Sequence, residues 1–245
     1  SLLGEWDDSR ALEMDYTAPS RWTVEFDSAG ESVEYRFLVK DNGRVVNRES
    51  GNPHFLKLEE GRLYDIEDIW YSMPQQKFLY TSGFSESFFM HEAVAKQKSY
   101  KKAILLNVNC PYIKKGQSLI LTGISKTLGD WKIEDALHFV PVKYGIWQLI
   151  LNAATIKTPL EYKLAIYDEA EKKVVHWEQG YNRTIHPLSR DIKEDITHVD
   201  TIEYWYGWMD WKAAGVAIPV FSLRSEDSFG IGEFSDLKKM VDWAA

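Results

Sequence analysis

The stretch Thr127-Leu128-Gly129-Asp130-Trp131 decides the fold, because it has a counterpart near the start of the chain, Leu2-Leu3-Gly4-Glu5-Trp6. In each copy the next tryptophan landmark, Trp22 or Trp147, lies 16 residues further on. Two further stretches correspond in order, residues 33–37 (Val-Glu-Tyr-Arg-Phe) and 160–164 (Leu-Glu-Tyr-Lys-Leu). So many landmarks in one order predict a duplicated domain.

Each copy has the alternation of polar and apolar residues that is typical of β-strands. Clear examples are residues 22–26, 33–39, 103–108, 118–122, 145–151 and 162–167. Turn signals containing Gly, Asn, Asp or Pro separate them. We therefore predict a mainly β fold with two immunoglobulin-like antiparallel β-sandwiches. The first sandwich is expected to be incomplete, because nothing precedes its Leu-Gly-Glu-Trp. An incomplete sheet predicts an exposed edge, or strands supplied by residues outside this chain.

The composition of the chain argues against several classes of function. The chain has 245 residues, a net charge of −8, ten Trp, thirteen Tyr and a single cysteine, Cys110. The acidic balance argues against nucleic acid as a partner. One cysteine excludes an internal disulfide framework, and the absence of a run of 18 apolar residues predicts no membrane span. The many Trp and Tyr side chains exceed what small cores need, so some are expected on a binding surface.

Four residues of the second copy are candidates for such a surface. Trp131 follows a Gly-Asp turn, Trp177 follows a strand, and Lys163 and Asn182 supply polar groups. The C–H faces of a glucose ring pack on indole, and its hydroxyls need fixed polar partners. Each residue alone also has a structural explanation: a core Trp, a solvated cross-strand Lys, and an Asn that favours a turn.

Residues 103–187 resemble the family 20 starch-binding modules. The resemblance is carried by residues 128–131, 136–137, 145–147, 160–164, 175–178 and 182–183. It implies an α-glucan site in which Trp131 and Trp177 stack on sugar rings while Lys163 and Asn182 bind hydroxyls. It also implies a second site formed by two tyrosines, of which Tyr144 matches one.

The first copy resembles the same family but departs from it at the sugar site. Trp6 is kept, Arg36 replaces the strand lysine, and Arg48 stands where Trp177 stands. Trp6 and Arg36 are therefore further candidate binding residues. Because the pair of stacking rings is broken, we expect this copy to bind weakly or through another face.

The pattern changes after residue 190. Residues 214–221 read as a buried strand, 225–234 as a polar loop, and 234–245 as a helix with Ser235 as N-cap. Strand, loop and helix form the first unit of a β/α barrel. Residues 215–234 resemble the opening of the 4-α-glucanotransferases of the amylomaltase, or disproportionating-enzyme, family. Two starch-binding modules before such a barrel look like the long, plant-cytosol type of that enzyme.

This second resemblance implies a cytoplasmic protein that transfers α-1,4-glucan segments to a sugar or glucan acceptor. The catalytic carboxylates of the family lie beyond residue 245, so no catalytic residue is predicted in this chain. No His or Cys spacing indicates a metal site, and no cofactor is expected.

The predicted organisation has four parts: a first sandwich (1–70), a connector (71–100), a second sandwich (101–190), and a linker with the start of the barrel (191–245). Two alternatives stay open: a non-catalytic glycogen-targeting or scaffold protein, and sandwiches that serve only as spacers or dimerisation modules. The sequence does not indicate an oligomeric state.

Overall fold

The computed structural model describes the chain in seven segments and divides it into two compact units, Ser1–Gly207 and Trp208–Ala245. The described residues are 3–28, 30–49, 53–71, 99–111, 113–143, 145–207 and 218–244. The prediction of mainly β structure is confirmed. Within the described ranges, no helix combines the length and the apolar composition that a membrane crossing requires.

The second copy contributes nine strands to two facing sheets. Its strands are β8 (Lys102–Asn109), β9 (Gln117–Gly123), β10 (Leu137–His138), β11 (Val140–Lys143), β12 (Ile146–Asn152), β13 (Leu160–Asp168), β14 (Lys173–Trp177), β15 (Arg183–Ile185) and β16 (Ile196–Glu203). One sheet has the order β10-β9-β13-β14, with β15 also paired to β13, and the other contains β11-β12-β8-β16.

Alternate residues of these strands form the core between the sheets. Leu106 and Val108 of β8 meet Leu121 of β9 and Leu164 of β13 in one buried cluster. Because side chains alternate along a strand, the residues between them face outward. This alternation fixes which side chains of β13 and β14 are available on the surface.

Among its described residues, the first copy contributes seven strands of three to five residues. They are β1 (Asp15–Ala18), β2 (Arg21–Thr23), β3 (Ser32–Tyr35), β4 (Leu38–Asp41), β5 (Arg44–Arg48), β6 (His54–Lys57) and β7 (Leu63–Glu67). They form three antiparallel pairs, β1-β2, β3-β6 and β4-β5, while β7 joins the second copy's sheet.

Strand β16 joins the two copies, because it pairs in parallel with β8 on one side and with β7 on the other. The sequence pattern predicted that the second sandwich ends at residue 190, but its sheet continues to Glu203. The first copy also packs its small core, Val33 and Leu56, against Leu105 and Val199 of the second copy's sheet. The two copies therefore share a sheet and a core cluster within the first unit.

The second unit differs from its expected start. A strand was predicted over 214–221, whereas Val220–Ser222 forms a 3-10 turn, closed by the bond from Leu223 N–H to the Val220 carbonyl (3.0 Å). A strand needs a neighbour for its backbone groups, and none pairs with the described part of this segment. Residues 208–217 lie outside the described residues.

The predicted helix is present as α1 (Phe234–Ala244). Ser235 is not its N-cap: it lies inside the first turn, and Glu233 precedes the helix. The Asp236 side chain accepts from the Glu233 N–H (2.9 Å), and this bond satisfies a backbone donor at the helix start.

Candidate functional site

The repeated Gly-acid-Trp motif forms the same turn in both copies. Gly129 and Trp131 have positive φ angles of 85° and 60°, and Gly4 and Trp6 have 93° and 66°. A Cβ on Gly129 would stand 2.6 Å from the backbone oxygen of Asp135, so this position requires glycine. Asp130 and Glu5 also have positive φ, at 51° and 55°.

Trp177 lies at the end of β14 on the outer face of its sheet. It is paired with Ala165 of β13, and directly paired residues share one face of a sheet. Tyr162 and Leu164 face the core, so Lys163 and Ala165 lie on the opposite face of the strand with Trp177, where Ala165 is itself buried. The side chain is 41% exposed, which leaves a large part of the indole available for contact.

Trp131 stands on the other side of β13. Its N–H donates to the Gly123 carbonyl (3.0 Å), and Gly123 is paired with Tyr162. Trp131 is 39% exposed. Tyr162 and Ala165 are three residues apart on β13, which is about 10 Å along a strand. The backbones of the two predicted stacking residues thus lie on opposite sides of β13, and neither side chain is buried.

Lys163 holds the loop that follows Trp177. Its ammonium group donates to the Gly180 carbonyl at 2.5 Å and to the Tyr181 carbonyl at 3.2 Å. An ammonium group has three donors, so one remains for a ligand. Lys163 therefore fixes residues 180 and 181, a task that the sequence did not predict for it.

Asn182 lies on the same loop. Its Nδ2 donates to Glu161 Oε2 (3.2 Å) on the outer face of β13. The carboxamide has a second N–H and a carbonyl oxygen beyond this bond. Asn182 is consequently oriented by the protein and keeps polar groups for a ligand.

A buried ion pair closes the base of this loop. Glu178 is almost fully buried, and Arg183 donates to both of its carboxylate oxygens, from Nε at 2.9 Å and from Nη2 at 2.7 Å. Burial acts to lower the pKa of Arg183, but the hydrogen bonds and the charge of Glu178 raise it overall. The backbone N–H of Trp205 donates to the same carboxylate (3.0 Å). The pair ties the loop to the chain that leaves β16.

Sequence reasoning assigned no role to Glu178, Arg183 or Trp205. The duplication contains a signal for the first of them. An acid follows the second stacking position in both copies, as Glu49 after Arg48 and as Glu178 after Trp177.

The first copy repeats the buried acid with a different partner. Glu49 is buried, and its N–H donates to the Phe37 carbonyl at 3.0 Å, as that of Glu178 does to Leu164. Its carboxylate lies 2.8 Å from His54 Nε2 and accepts from the Tyr71 N–H at 2.6 Å. His54 is paired with Tyr35 as Arg183 is with Tyr162. A histidine therefore occupies the place of the second copy's arginine.

His54 is enclosed by aromatic rings and carboxylates. Its ring stacks on those of Tyr35 and Tyr71, with centroids 5.1 and 4.1 Å away. Nδ1 lies 3.4 Å from Asp68 Oδ1. Burial acts to lower the pKa of His54, but the two carboxylates together outweigh it and raise that pKa to about 9.

The sugar-site positions of the first copy do not form a pair of rings. Trp6 is exposed on its turn, and Arg36 is exposed just before β4. Arg48 is paired with Leu38, and its guanidinium donates to Asp8, from Nη1 at 3.1 Å. An exposed ion pair thus stands where the second copy has Trp177.

Tyr144, the residue predicted for the second site, lies outside the described residues, and so does Tyr112, the tyrosine near the expected place of its partner. Trp147 packs against the buried cluster and its Nε1 donates to the Cys110 carbonyl (3.2 Å), so it contributes to the core. Its counterpart Trp22 is exposed and packs on Tyr16, with ring centroids 5.2 Å apart.

Comparison with known proteins matches the second copy. A family model described as "Starch binding domain" covers residues 101–195. Over 99% of its length the chain is 29% identical to 4-alpha-glucanotransferase DPE2 from Oryza sativa subsp. japonica, of which it covers 27%. It is 38% identical to an alpha-amylase from Streptomyces violaceus over 28% of the chain and 12% of the amylase. The chain thus spans about a quarter or less of these curated relatives.

Solved structures also match part of the chain. One is the family 20 carbohydrate-binding module of a maltotetraose-forming amylase from Pseudomonas saccharophila, with 17% identity, a TM-score of 0.33, and coverage of 40% of this chain and 98% of that one. Another is a gamma-CGTase from alkalophilic Bacillus clarkii, with 24% identity, a TM-score of 0.34, and coverage of 42% and 15%. The starch-binding domain match and the similarity to a 4-alpha-glucanotransferase together support a glucan-binding region.

Proposed function

We propose that the outer face of the second sandwich binds α-glucan, as part of the N-terminal region of a 4-alpha-glucanotransferase. One observation carries this proposal: Trp131 and Trp177 are both partly exposed, Trp177 lies on the face of β13 that carries Lys163, and Trp131 is bonded to the end of β9, the strand on the other side of β13. Two indoles that the protein positions but does not bury are suited to the apolar faces of glucose rings.

The polar groups of the site are suited to hydrogen bonds with the hydroxyl groups of the sugar. Lys163 is bonded to the loop that follows Trp177, Asn182 belongs to that loop, and the remaining polar groups of both are already oriented by the protein. Ordering these groups in advance reduces the entropy lost on binding. Each buried ring contributes on the order of 1–3 kcal/mol of apolar transfer, partly offset by that loss. A small site of this kind is expected to have a Kd between about a micromolar and about a millimolar.

We further propose that the parent protein transfers α-1,4-glucan segments to a sugar or glucan acceptor. The similarity to a 4-alpha-glucanotransferase supports this activity, and the resemblance to the plant-cytosol type supports a cytoplasmic location, which cell fractionation tests. A retaining transfer uses two carboxylates about 5 Å apart. We assign no residue of this chain to that role, and a scaffold protein without transfer activity is the alternative that an assay of the parent protein decides.

A structural role is the second candidate function for the first copy. The favouring observation is that Val33 and Leu56 pack on Leu105 and Val199, while β7 extends the second copy's sheet. Residues 3–71 then support the sandwich that binds glucan. This role predicts that removing Trp6 leaves glucan affinity unchanged.

The test is calorimetric titration of maltoheptaose into the wild-type chain and its variants. Trp177→Ala and Trp131→Ala are expected to weaken binding by about tenfold or more, since about 1.4 kcal/mol corresponds to a factor of ten. Trp243→Ala removes an exposed indole of α1 in the second unit and serves as the matched control, with affinity unchanged. Equal affinity in the wild type and Trp177→Ala, or no binding by the wild type, would refute the proposal.

A further inference from the structure

Tyr181 is the most exposed aromatic residue beside the proposed sugar site. Its side chain is 98% exposed, although its backbone is held by the bond from Lys163 to its carbonyl (3.2 Å). The preceding residue, Gly180, is held by the same ammonium group at 2.5 Å. The loop therefore presents a phenol ring to solvent on an anchored backbone.

Trp205 packs against this loop from the neighbouring segment. The Gln179 N–H donates to the Trp205 carbonyl (2.9 Å), and the Trp205 N–H donates to Glu178 (3.0 Å). A Cβ on Gly180 would stand 2.8 Å from Cζ3 of the Trp205 ring, so the six-membered ring lies directly against the glycine. Trp205 nevertheless remains 55% exposed.

Three partly exposed rings thus belong to one loop and the segment packed on it. Trp177 begins the loop, Tyr181 is at its tip, and Trp205 covers Gly180. Single exposed aromatic residues are common on protein surfaces and need no explanation. A contiguous group of them that continues from a proposed ligand site is typical of an extended binding surface.

We propose that Tyr181 and Trp205 extend the glucan site beyond Trp177, so that the second sandwich binds a longer linear α-1,4-glucan than Trp131 and Trp177 cover alone. This inference rests on the proposed function and specifies the ligand of the same site. The occupant is the continuing sugar chain, because Lys163 lies on the same face of the sheet as Trp177 and also holds the backbone of the residue that carries the added ring. The Tyr181 ring offers an apolar face to the extra sugars, as the indoles do to the first ones.

The test compares a short and a long ligand. Maltotriose and maltoheptaose are titrated into the wild-type chain, Tyr181→Ala and Tyr181→Phe. Tyr181→Ala is expected to weaken maltoheptaose binding by about threefold to tenfold, equivalent to losing part of one ring contact, and to change maltotriose binding by less than about twofold. Tyr181→Phe keeps the ring and is expected to stay within about twofold of the wild type for both ligands.

A second readout uses the Trp205 indole. Its Nε1–H resonance is expected to shift with maltoheptaose and not with maltotriose, while that of Trp177 shifts with both. Unchanged maltoheptaose binding in Tyr181→Ala, or an equal loss for both ligands, would overturn the extension alone. Failure of the wild type to bind either sugar would overturn the proposed function and the extension together. Tyr181 is almost fully exposed, so we expect its variants to fold as the wild type does. An unchanged unfolding midpoint in each variant verifies this.

Discussion

Raising the pH is expected to destabilise the first copy by deprotonating His54. This imidazole is buried, and each of its nitrogens faces a carboxylate, Glu49 at 2.8 Å and Asp68 at 3.4 Å. Asp68 also accepts from the Tyr35 hydroxyl, and Thr201 of β16 bonds to it. The protonated ring of β6 therefore joins the residues that follow β5 and β7, and Asp68 continues the contact to β3 and to β16.

The sign of the effect follows from the direction of the pKa shift. Burial favours the neutral ring, but Asp68 and Glu49 outweigh it and raise the pKa of His54 to about 9 in the folded protein. In the unfolded chain a histidine has a pKa of about 6.5. A pKa that is higher in the folded state stabilises the protein fully below about pH 6.5, and this contribution is lost as the pH rises through about 9.

The magnitude is about 3 kcal/mol, because each pKa unit corresponds to about 1.4 kcal/mol. Urea unfolding followed by tryptophan fluorescence, at pH values between about 6 and about 9.5, measures it as a fall in the free energy of unfolding. NMR titration of the His54 ring gives the folded-state pKa directly, with an expected value of about 9.

His54→Arg is the matched control, because it places the second copy's partner opposite Glu49 and does not titrate in this range. The pH dependence is expected to disappear in this variant. A wild-type free energy of unfolding that is flat between about pH 6.5 and about pH 9, or an equal slope in His54→Arg, would refute the reasoning.

Two further predictions concern the loop of the second copy. Arg183→Met leaves the Glu178 carboxylate buried without its partner and is expected to lower the free energy of unfolding by about 3–5 kcal/mol, measured by urea unfolding; a loss below about 1 kcal/mol would contradict a buried pair. Gly180→Ala adds a Cβ against the Trp205 ring at a φ of +87° and is expected to weaken maltoheptaose binding. Gly43→Ala has a similar φ of +78° with open space around it, so it controls for backbone strain alone and is expected to leave binding unchanged.

The sequence predicted those features that local chemistry determines. The Gly129-Asp130-Trp131 turn was predicted because Gly and Asp favour turns, and the alternation of residues 162–167 predicted the strand that carries Lys163. Both inferences depend on neighbours in the chain. For the same reason the mainly β character could be predicted before any strand was paired.

The features that were missed depend on partners far away in the sequence. Residues 196–203 pair with 63–67 and 102–109 at once, and the pattern of one segment carries no information about two distant partners. This is why the second sandwich was ended at residue 190. In the strand predicted over 214–221, the described residues from 218 onwards have no paired strand, and an apolar run favours a strand only where a paired neighbour exists.

The two copies separate the scaffold of the site from its ligand-binding surface. In both, an acid after the second stacking position is buried and accepts a backbone N–H from the segment that follows the last strand, Tyr71 in one copy and Trp205 in the other. The cation that faces the acid differs, His54 in the first copy and Arg183 in the second. The residue at the second stacking position differs too, Arg48 in the first copy and Trp177 in the second. Glu49 and Glu178 keep the same backbone contacts while Arg48 replaces Trp177, so the buried acid belongs to the fold of the loop. Under the proposed function, in which the exposed ring binds the sugar, loss of the ring is expected to remove binding from the first copy without removing its fold, and the first copy then supports its neighbour.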